Sequence, residues 1–186
     1  MNELYNFGTT SMTIKSYIRT VPHYPKQGVM FRDITTLLKD PKGFKLTIND
    51  LTSRYQDQPI DIVAGIEARG FILGAALAFQ LGLGFIPLRK RGKLPAQTIG
   101  QDYSLEYGTD RIEIHVDALL PGQKVLLVDD LLATGGTARA ACKLIQLAGG
   151  EVKECCFVID LPDLGGKTHL EQSGDKVFSL CEFEGD

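Results

Sequence analysis

The sequence predicts an α/β domain built on a mainly parallel sheet flanked by helices. Short apolar runs at 61–66, 84–88 and 125–128 read as buried strands. Helical segments follow the first and third of these runs, and Gly- or Pro-marked turns punctuate the chain. Strands that alternate with helices favour parallel pairing, since a crossover helix returns the chain to the same end of the sheet. The chain has 186 residues, 44% hydrophobic and 23% charged. That composition is ordinary for a globular protein, excludes a disordered chain, and suggests one domain over 1–186.

Each element has its own justification. Asp40 before Pro41 is a helix start, an N-cap acid followed by proline at the first helical position. Phe44, Ile48, Leu51 and Tyr55 then lie on one helical face. The run 61–66 is a strand, 71–80 a helix and 84–88 a strand. Pro87 removes a ladder donor there, so it belongs near a strand end or edge. The stretch 71–88 reaches the length of a membrane span, but Gly74, Gly82, Gly84 and Pro87 break it into a buried helix and a buried strand. From 89 to 110 the chain is polar, without helical period, and reads as a long functional loop or lid. Residues 112–116 alternate as a half-exposed strand, and Pro121-Gly122 is a turn. The cleanest strand is 125–128 and the cleanest helix 137–148, closed by Gly149-Gly150. Segments 151–161 and 176–183 supply the last strands.

A net charge of −3 argues against binding nucleic acid by blanket phosphate neutralisation. The four cysteines, at 142, 155, 156 and 181, form no C-x-x-C pair, and the three histidines are far apart. Neither a zinc site nor a disulfide framework is expected, and a reducing compartment fits. Cys155 and Cys156, adjacent in a strand, should point to opposite faces. The N-terminal stretch lacks the apolar core of a signal peptide, so the expectation is a soluble, cytoplasmic protein.

The chemistry concentrates in 125–137. A buried strand ends in Asp129 and Asp130, and a loop, Ala133-Thr134-Gly135-Gly136-Thr137, opens a helix. Glycines let several backbone N–H groups turn to one point, and the helix N-terminus adds positive potential, so the loop suits a phosphate. It is neither a P-loop nor a dinucleotide fingerprint. Carboxylates repel phosphate, and the conflict resolves if one ligand carries a phosphate at one end and a hydroxyl-bearing, metal-bridged sugar at the other. A ribose 5-phosphate meets both demands. Solvated acids beside an ordinary Gly turn are the bland alternative.

This acid pair and loop resemble the 5-phosphoribosyl-1-pyrophosphate (PRPP) motif of the type I phosphoribosyltransferases. The chain is similar to the adenine-specific members of that family over nearly all its length after about residue 20. The segments that match are 24–33, Glu67-Ala68-Arg69-Gly70, 89–95 and 105–108, together with 129–137. Their occurrence in one order is more specific than any single motif. The resemblance implies a type I phosphoribosyltransferase fold with a small N-terminal hood, residues 1–35 forming extension and hood. It implies transfer of the phosphoribosyl group from PRPP to adenine, giving AMP and pyrophosphate in purine salvage, with Mg²⁺ carried by PRPP rather than held in a dedicated protein cage. It also implies a homodimer, and neither nucleic acid nor membrane as partner.

Site residues follow from the same resemblance. Asp129 and Asp130 hold the ribose hydroxyls, and Ala133, Thr134, Gly135, Gly136 and Thr137 the 5-phosphate. Glu67, Ala68, Arg69 and Gly70 form the pyrophosphate loop, where Arg69 offers a planar fork of donors. Read alone, Arg69 could equally be salt-bridged to Glu67. Arg89, Lys90, Arg91 and Lys93 read as a solvated charge run, a nucleic-acid patch or a pyrophosphate clamp, and the family resemblance favours the clamp. In the family this segment reaches the partner's active site. Phe31, between Met30 and Arg32, stacks on adenine while the flanking backbone reads the base edge; a core phenylalanine is the alternative. Leu131 takes the opposite face of the base. Glu106 and Tyr107 lie in the closing loop, Glu106 being the candidate acid/base at the purine and Arg69 its catalytic companion. A bystander role at an exposed loop position is the alternative for Glu106. His115 reads as a structural residue. The rivals to this function are transfer to another purine, a non-catalytic PRPP-sensing regulator and, weaker, a pyrophosphokinase.

Overall fold

The computed structural model describes residues 13–105 and 108–185. In chain order the elements are β1 (Arg19–Pro22), β2 (Met30–Asp33), α1 (Thr35–Lys39), α2 (Pro41–Tyr55), β3 (Ile62–Ile66), α3 (Arg69–Leu81) and β4 (Gly84–Lys90). Then follow β5 (Thr98–Leu105), β6 (Gly108–His115), β7 (Lys124–Leu132), α4 (Gly136–Leu147), β8 (Glu151–Asp160), α5 (Gly166–Gln172) and β9 (Val177–Glu182). Seven strands make one sheet in the order β5-β6-β4-β3-β7-β8-β9. The run from β4 to β9 is parallel, and β5 and β6 add an antiparallel hairpin at one edge. β1 and β2 form a separate antiparallel ribbon.

Burial explains why β7 sits in the middle. Leu126 and Leu127 are neighbours in sequence, point to opposite faces, and are both fully buried. Each such side chain contributes about 1.5–3 kcal/mol when removed from water. The sheet thus separates two apolar layers. One holds Leu51, Leu73, Leu126 and Cys156, and the other Leu127, Leu144, Cys155 and Phe157. Cys155 and Cys156 therefore face opposite layers, as strand geometry requires. β7 is buried on both faces from Val125 to Val128, and its acids Asp129 and Asp130 come only as the strand nears its end at Leu132.

α2 starts as its sequence dictates. Asp40 Oδ1 accepts from the N–H groups of Lys42 (2.8 Å) and Gly43 (3.0 Å), with Pro41 at the first helical position. Pro87 lies mid-strand, yet its position obeys the rule that placed it near an edge. Leu88 turns its C=O towards β3, accepting from Glu67 N–H at 2.9 Å. Alternation then directs the Pro87 nitrogen to the other side, where β6 pairs with β4 only at Arg89 and Lys90.

The long loop expected over 89–110 is mostly strand. β4 runs on to Lys90, and β5 pairs with β6 in continuous register from Thr98 opposite His115 to Leu105 opposite Gly108. Ile99 and Tyr103 pack against the core, while Asp102 and Arg111 pair outward at 3.0 Å. β6 is also better covered than expected, with Ile112, Glu113 and Ile114 buried. Among the described residues, no helix is long and apolar enough to cross a membrane.

Candidate active site

The parallel strands β3, β7 and β8 end on one edge of the sheet, where open α/β sheets place their ligands. Near that edge β7 carries the two acids, just before its last residues Leu131 and Leu132. Asp130 is buried and Asp129 half-buried. Burial, and then the neighbouring Asp130, hold the Asp129 carboxyl well above the usual carboxylate range. Asp129 Oδ1 also accepts the Asp130 N–H at 2.9 Å.

The loop between Leu132 and Gly136 closes around Gly135, whose φ of 81° is in the left-handed region. A helix N-terminus of this kind carries free N–H groups and partial positive charge, the equipment for an anion. The loop is braced from behind by α5. A Cβ on Gly166 would lie 2.1 Å from Ala133 O and 2.9 Å from Gly135 N, so only glycine fits. His169 Nδ1 lies 3.2 Å from Thr134 O. A cavity of about 110 Å³ opens over the loop, lined by Asp129, Leu131 and residues 132–138.

Beside it, the chain leaves β3 through the segment Glu67 to Gly70. Gly70 packs so closely on β7 that a Cβ would meet Val128 O at 2.7 Å and Asp129 Oδ1 at 2.9 Å. Arg69 Nε donates to Asp130 Oδ2 in a short hydrogen bond. The salt bridge of Arg69 is therefore with Asp130, and Glu67 has a different partner. Its carboxylate accepts from Arg89 Nη2 (3.0 Å), Arg89 Nε (3.3 Å) and the Lys90 N–H (3.1 Å). Those bonds, the Arg89 pair first, lower its pKa. Arg89 Nη1 also donates to Lys93 O (2.9 Å), and Lys90 Nζ lies 3.3 Å from Asp110. Among the described residues Arg91 and Lys93 make no ion pair, and both are exposed.

Over the strand ends lies the β1–β2 ribbon. A cavity of about 320 Å³ separates it from Arg69, lined by Val21, Tyr24, Phe31, Asp33 and Thr35 among others. That volume suits a small planar ligand. Phe31 meets Tyr24 edge to face, ring centres 5.2 Å apart. Asp33, paired with Arg19 and accepting from the Thr35 N–H (2.9 Å), has its pKa pulled down to about 2, mainly by the Arg19 hydrogen bond.

A family model for the phosphoribosyl transferase domain matches residues 34–184. An adenine phosphoribosyltransferase of Nitrosospira multiformis is 67% identical over 174 residues, 94% of this chain and 99% of the relative. The chain belongs to the adenine phosphoribosyltransferase family. Solved structures agree. The adenine phosphoribosyltransferase of Thermoanaerobacter pseudethanolicus superposes with a TM-score of 0.87 at 49% identity, covering 91% of this chain and 98% of the other. That of Saccharomyces cerevisiae, complexed with adenine and an imino-altritol 1,6-bisphosphate, gives 0.84 at 36% identity, covering 90% and 96%. The fold is thus the type I phosphoribosyltransferase fold.

Within this family member, the acids, the loop 133–137, the segment 67–70 and Leu131 gather at one sheet edge, with Phe31 on the ribbon above. Glu106 and Tyr107 lie outside the described residues. His115 ends β6 opposite Thr98 and lines neither cavity, its buried Nε2 unpaired. Sequence reasoning missed the α5 brace, for which Gly165-Gly166 was the available signal. It also missed the Arg19–Asp33 pair, which only the ribbon's register brings together.

Proposed function

We propose that this chain transfers the 5-phosphoribosyl group of PRPP to adenine, giving AMP and pyrophosphate. One observation supports the reading: a Cβ on Gly70 would lie 2.9 Å from Asp129 Oδ1, so the segment 67–70 and the acid pair adjoin at the sheet edge where the loop 133–137 opens. The bisphosphate and adenine in the yeast relative's complex are chemically what such a cleft takes.

In this reading the N–H groups of 133–137 hold the 5-phosphate, and Asp129 and Asp130 bind the ribose hydroxyls. Arg69 exchanges its bond to Asp130 for pyrophosphate oxygens when substrate enters. The backbone of 67–70 joins it, with Arg91 and Lys93, which make no ion pair among the described residues, and Arg89, oriented by Glu67, and Lys90 beside them. Mg²⁺ arrives as part of the substrate. Asp129 and Asp130 offer two carboxylates, and among the described residues no third His, Cys, Asp or Glu gathers into a metal-binding group with them. That donor set fits a cation whose other oxygens belong to PRPP. As pyrophosphate departs, C1 of the ribose gains oxocarbenium character, so neutralising the leaving group and excluding water matter most. Phe31 and Leu131 clamp the ring, the backbone of Met30 and Arg32 reads its edge, and Glu106, with Tyr107 beside it, manages the purine proton.

Residues 1–35 serve as extension and hood of one catalytic unit spanning 1–186. The working form is a homodimer in the cytoplasm; the exposed apolar residues Ile72 and Phe79 on α3, beside an apolar groove shared with α2, support the dimer. The test is PRPP-dependent conversion of adenine, hypoxanthine, guanine and uracil with Mg²⁺ present. AMP formation at a rate far above every other product is expected. Preferential turnover of an oxo base sinks the assignment.

A further inference from the structure

We propose that the C-terminal residues 183–185 form a strap that, through Arg32, sets the height of the β1–β2 ribbon above the sheet and so the width of the base slot. The inference rests on the reading of Phe31 and Leu131 as the two walls of that slot.

Arg32 is only 9% exposed, in a ribbon whose other residues are half-buried or exposed. A guanidinium withdrawn from water depends on hydrogen bonds, and among the described residues Arg32 makes them at Nη1 and Nη2 while its buried Nε has none. The ribbon provides just one of its partners, Thr20 Oγ1, at 2.7 Å from Nη1. The others come from the far end of the chain. Nη2 donates to Glu184 O (3.0 Å) and Gly185 O (2.7 Å), and the guanidinium lies 4.6 Å from the centre of the Phe183 ring. Arg32 is thus a ribbon residue whose position is dictated by the tail.

The tail is in turn fixed to the sheet. Phe183 N–H donates to Asp160 O (3.0 Å), continuing the ladder past the end of β9, and Gly185 N–H donates to Asp163 Oδ2 (2.8 Å). Asp160 follows Ile159, and Ile159 is the register partner of Leu131. Both walls of the slot therefore refer back to β8. Leu131 does so through the β7–β8 ladder, and Phe31 through Arg32 and the strap. The strap touches neither the loop 133–137 nor the segment 67–70 through any of these bonds. Its effect should fall on the base alone, which makes Phe183 and the carbonyls of 184 and 185 positioning groups.

The experiment compares KM for adenine, KM for PRPP and kcat in a chain ending at Phe183, in Phe183→Leu and in Phe183→Trp. The truncation removes both carbonyl acceptors. It should raise KM for adenine about tenfold, the change carried by one charge-assisted hydrogen bond, with KM for PRPP and kcat at saturating adenine held. Phe183→Leu, which keeps an apolar side chain in place, should raise KM for adenine about threefold, and Phe183→Trp should restore it. Phe183→Leu also decides the question if the truncated chain does not fold. Equal rises in both KM values, or no change in either, overturn the strap. Phe31→Ala separates this failure from that of the underlying reading. If it leaves KM for adenine unchanged, the base slot itself is misassigned. If it raises KM while the tail variants do not, only the strap falls.

Discussion

At the phosphate end of the cleft the backbone is wedged between other pieces of backbone: Gly166 lies against Ala133 and Gly135, and Gly70 against Val128 and Asp129. Behind these contacts stand the fully buried residues of β7. At the base end a ribbon of two four-residue strands is held by polar clips, Arg19 to Asp33 within it and Arg32 to the chain terminus. Core packing leaves the first end little freedom, because a close-packed interior transmits displacement rather than absorbing it. Clips of charge and hydrogen bond respond to pH, salt and substitution one at a time. On the proposed reading the two ends suit their ligands: a phosphate is the same in every substrate of this chemistry, whereas the base has to be chosen.

The largest expected effect concerns proton transfer to the base rather than its positioning, and tests whether positioning alone explains catalysis. Glu106→Leu should lower the single-turnover rate of AMP formation by about 10²–10⁴, the usual worth of acid–base assistance, while direct PRPP binding holds. A wild-type single-turnover rate would leave the two ends of the cleft to account for catalysis by themselves. Next comes the wedge. Gly166→Ala must push Ala133 outward, and a displacement of about 1 Å costs about 10²-fold when it falls on bound substrate. KM for PRPP should rise steeply with KM for adenine little changed; equal rises would show that the two ends are not independent. The smallest effect concerns the ribbon. Asp33 titrates near 2 in the folded chain against 3.8 ordinarily. Its pairing therefore stabilises the fold above pH 4 and is lost as pH falls towards 2. Between pH 5 and pH 3 the urea midpoint of the native chain should drop slightly more than that of Asp33→Asn. Identical drops would mean that this clip carries nothing.

Legibility of the sequence followed the same division. The strand 125–128, its acids, its loop and its helix were readable because one local pattern contains them all, and α2 because its cap and apolar stripe are contiguous. The β5–β6 hairpin was not. Among the described side chains of β5, Ile99 and Tyr103 are partly buried hydrophobics packed on the core, and Asp102 and Arg111, like Lys90 and Asp110, pair only once the register exists. Arg69 shows the limit most clearly. Its neighbour Glu67 was the obvious salt-bridge partner in sequence, yet Asp130 lies 61 residues away and wins, while Glu67 turns to Arg89. Contacts between strand ends are made by topology, and no window of sequence contains them. The brace at Gly166 was hidden for a related reason: a glycine in a turn looks the same whether it shapes its own loop or makes room for another.

Gly70 has one more consequence, for the design of ligands. With no side chain between the segment 67–70 and Asp129, these two pieces of backbone meet with no slack, and neither can retreat without lifting β3 or β7 out of the sheet. On the proposed reading, the spacing between a sugar bound at the acids and an anion bound at 67–70 is set by this contact. A bisubstrate mimic must match that spacing through its own bond lengths, because the cleft has no adjustable joint with which to meet a longer or shorter spacer.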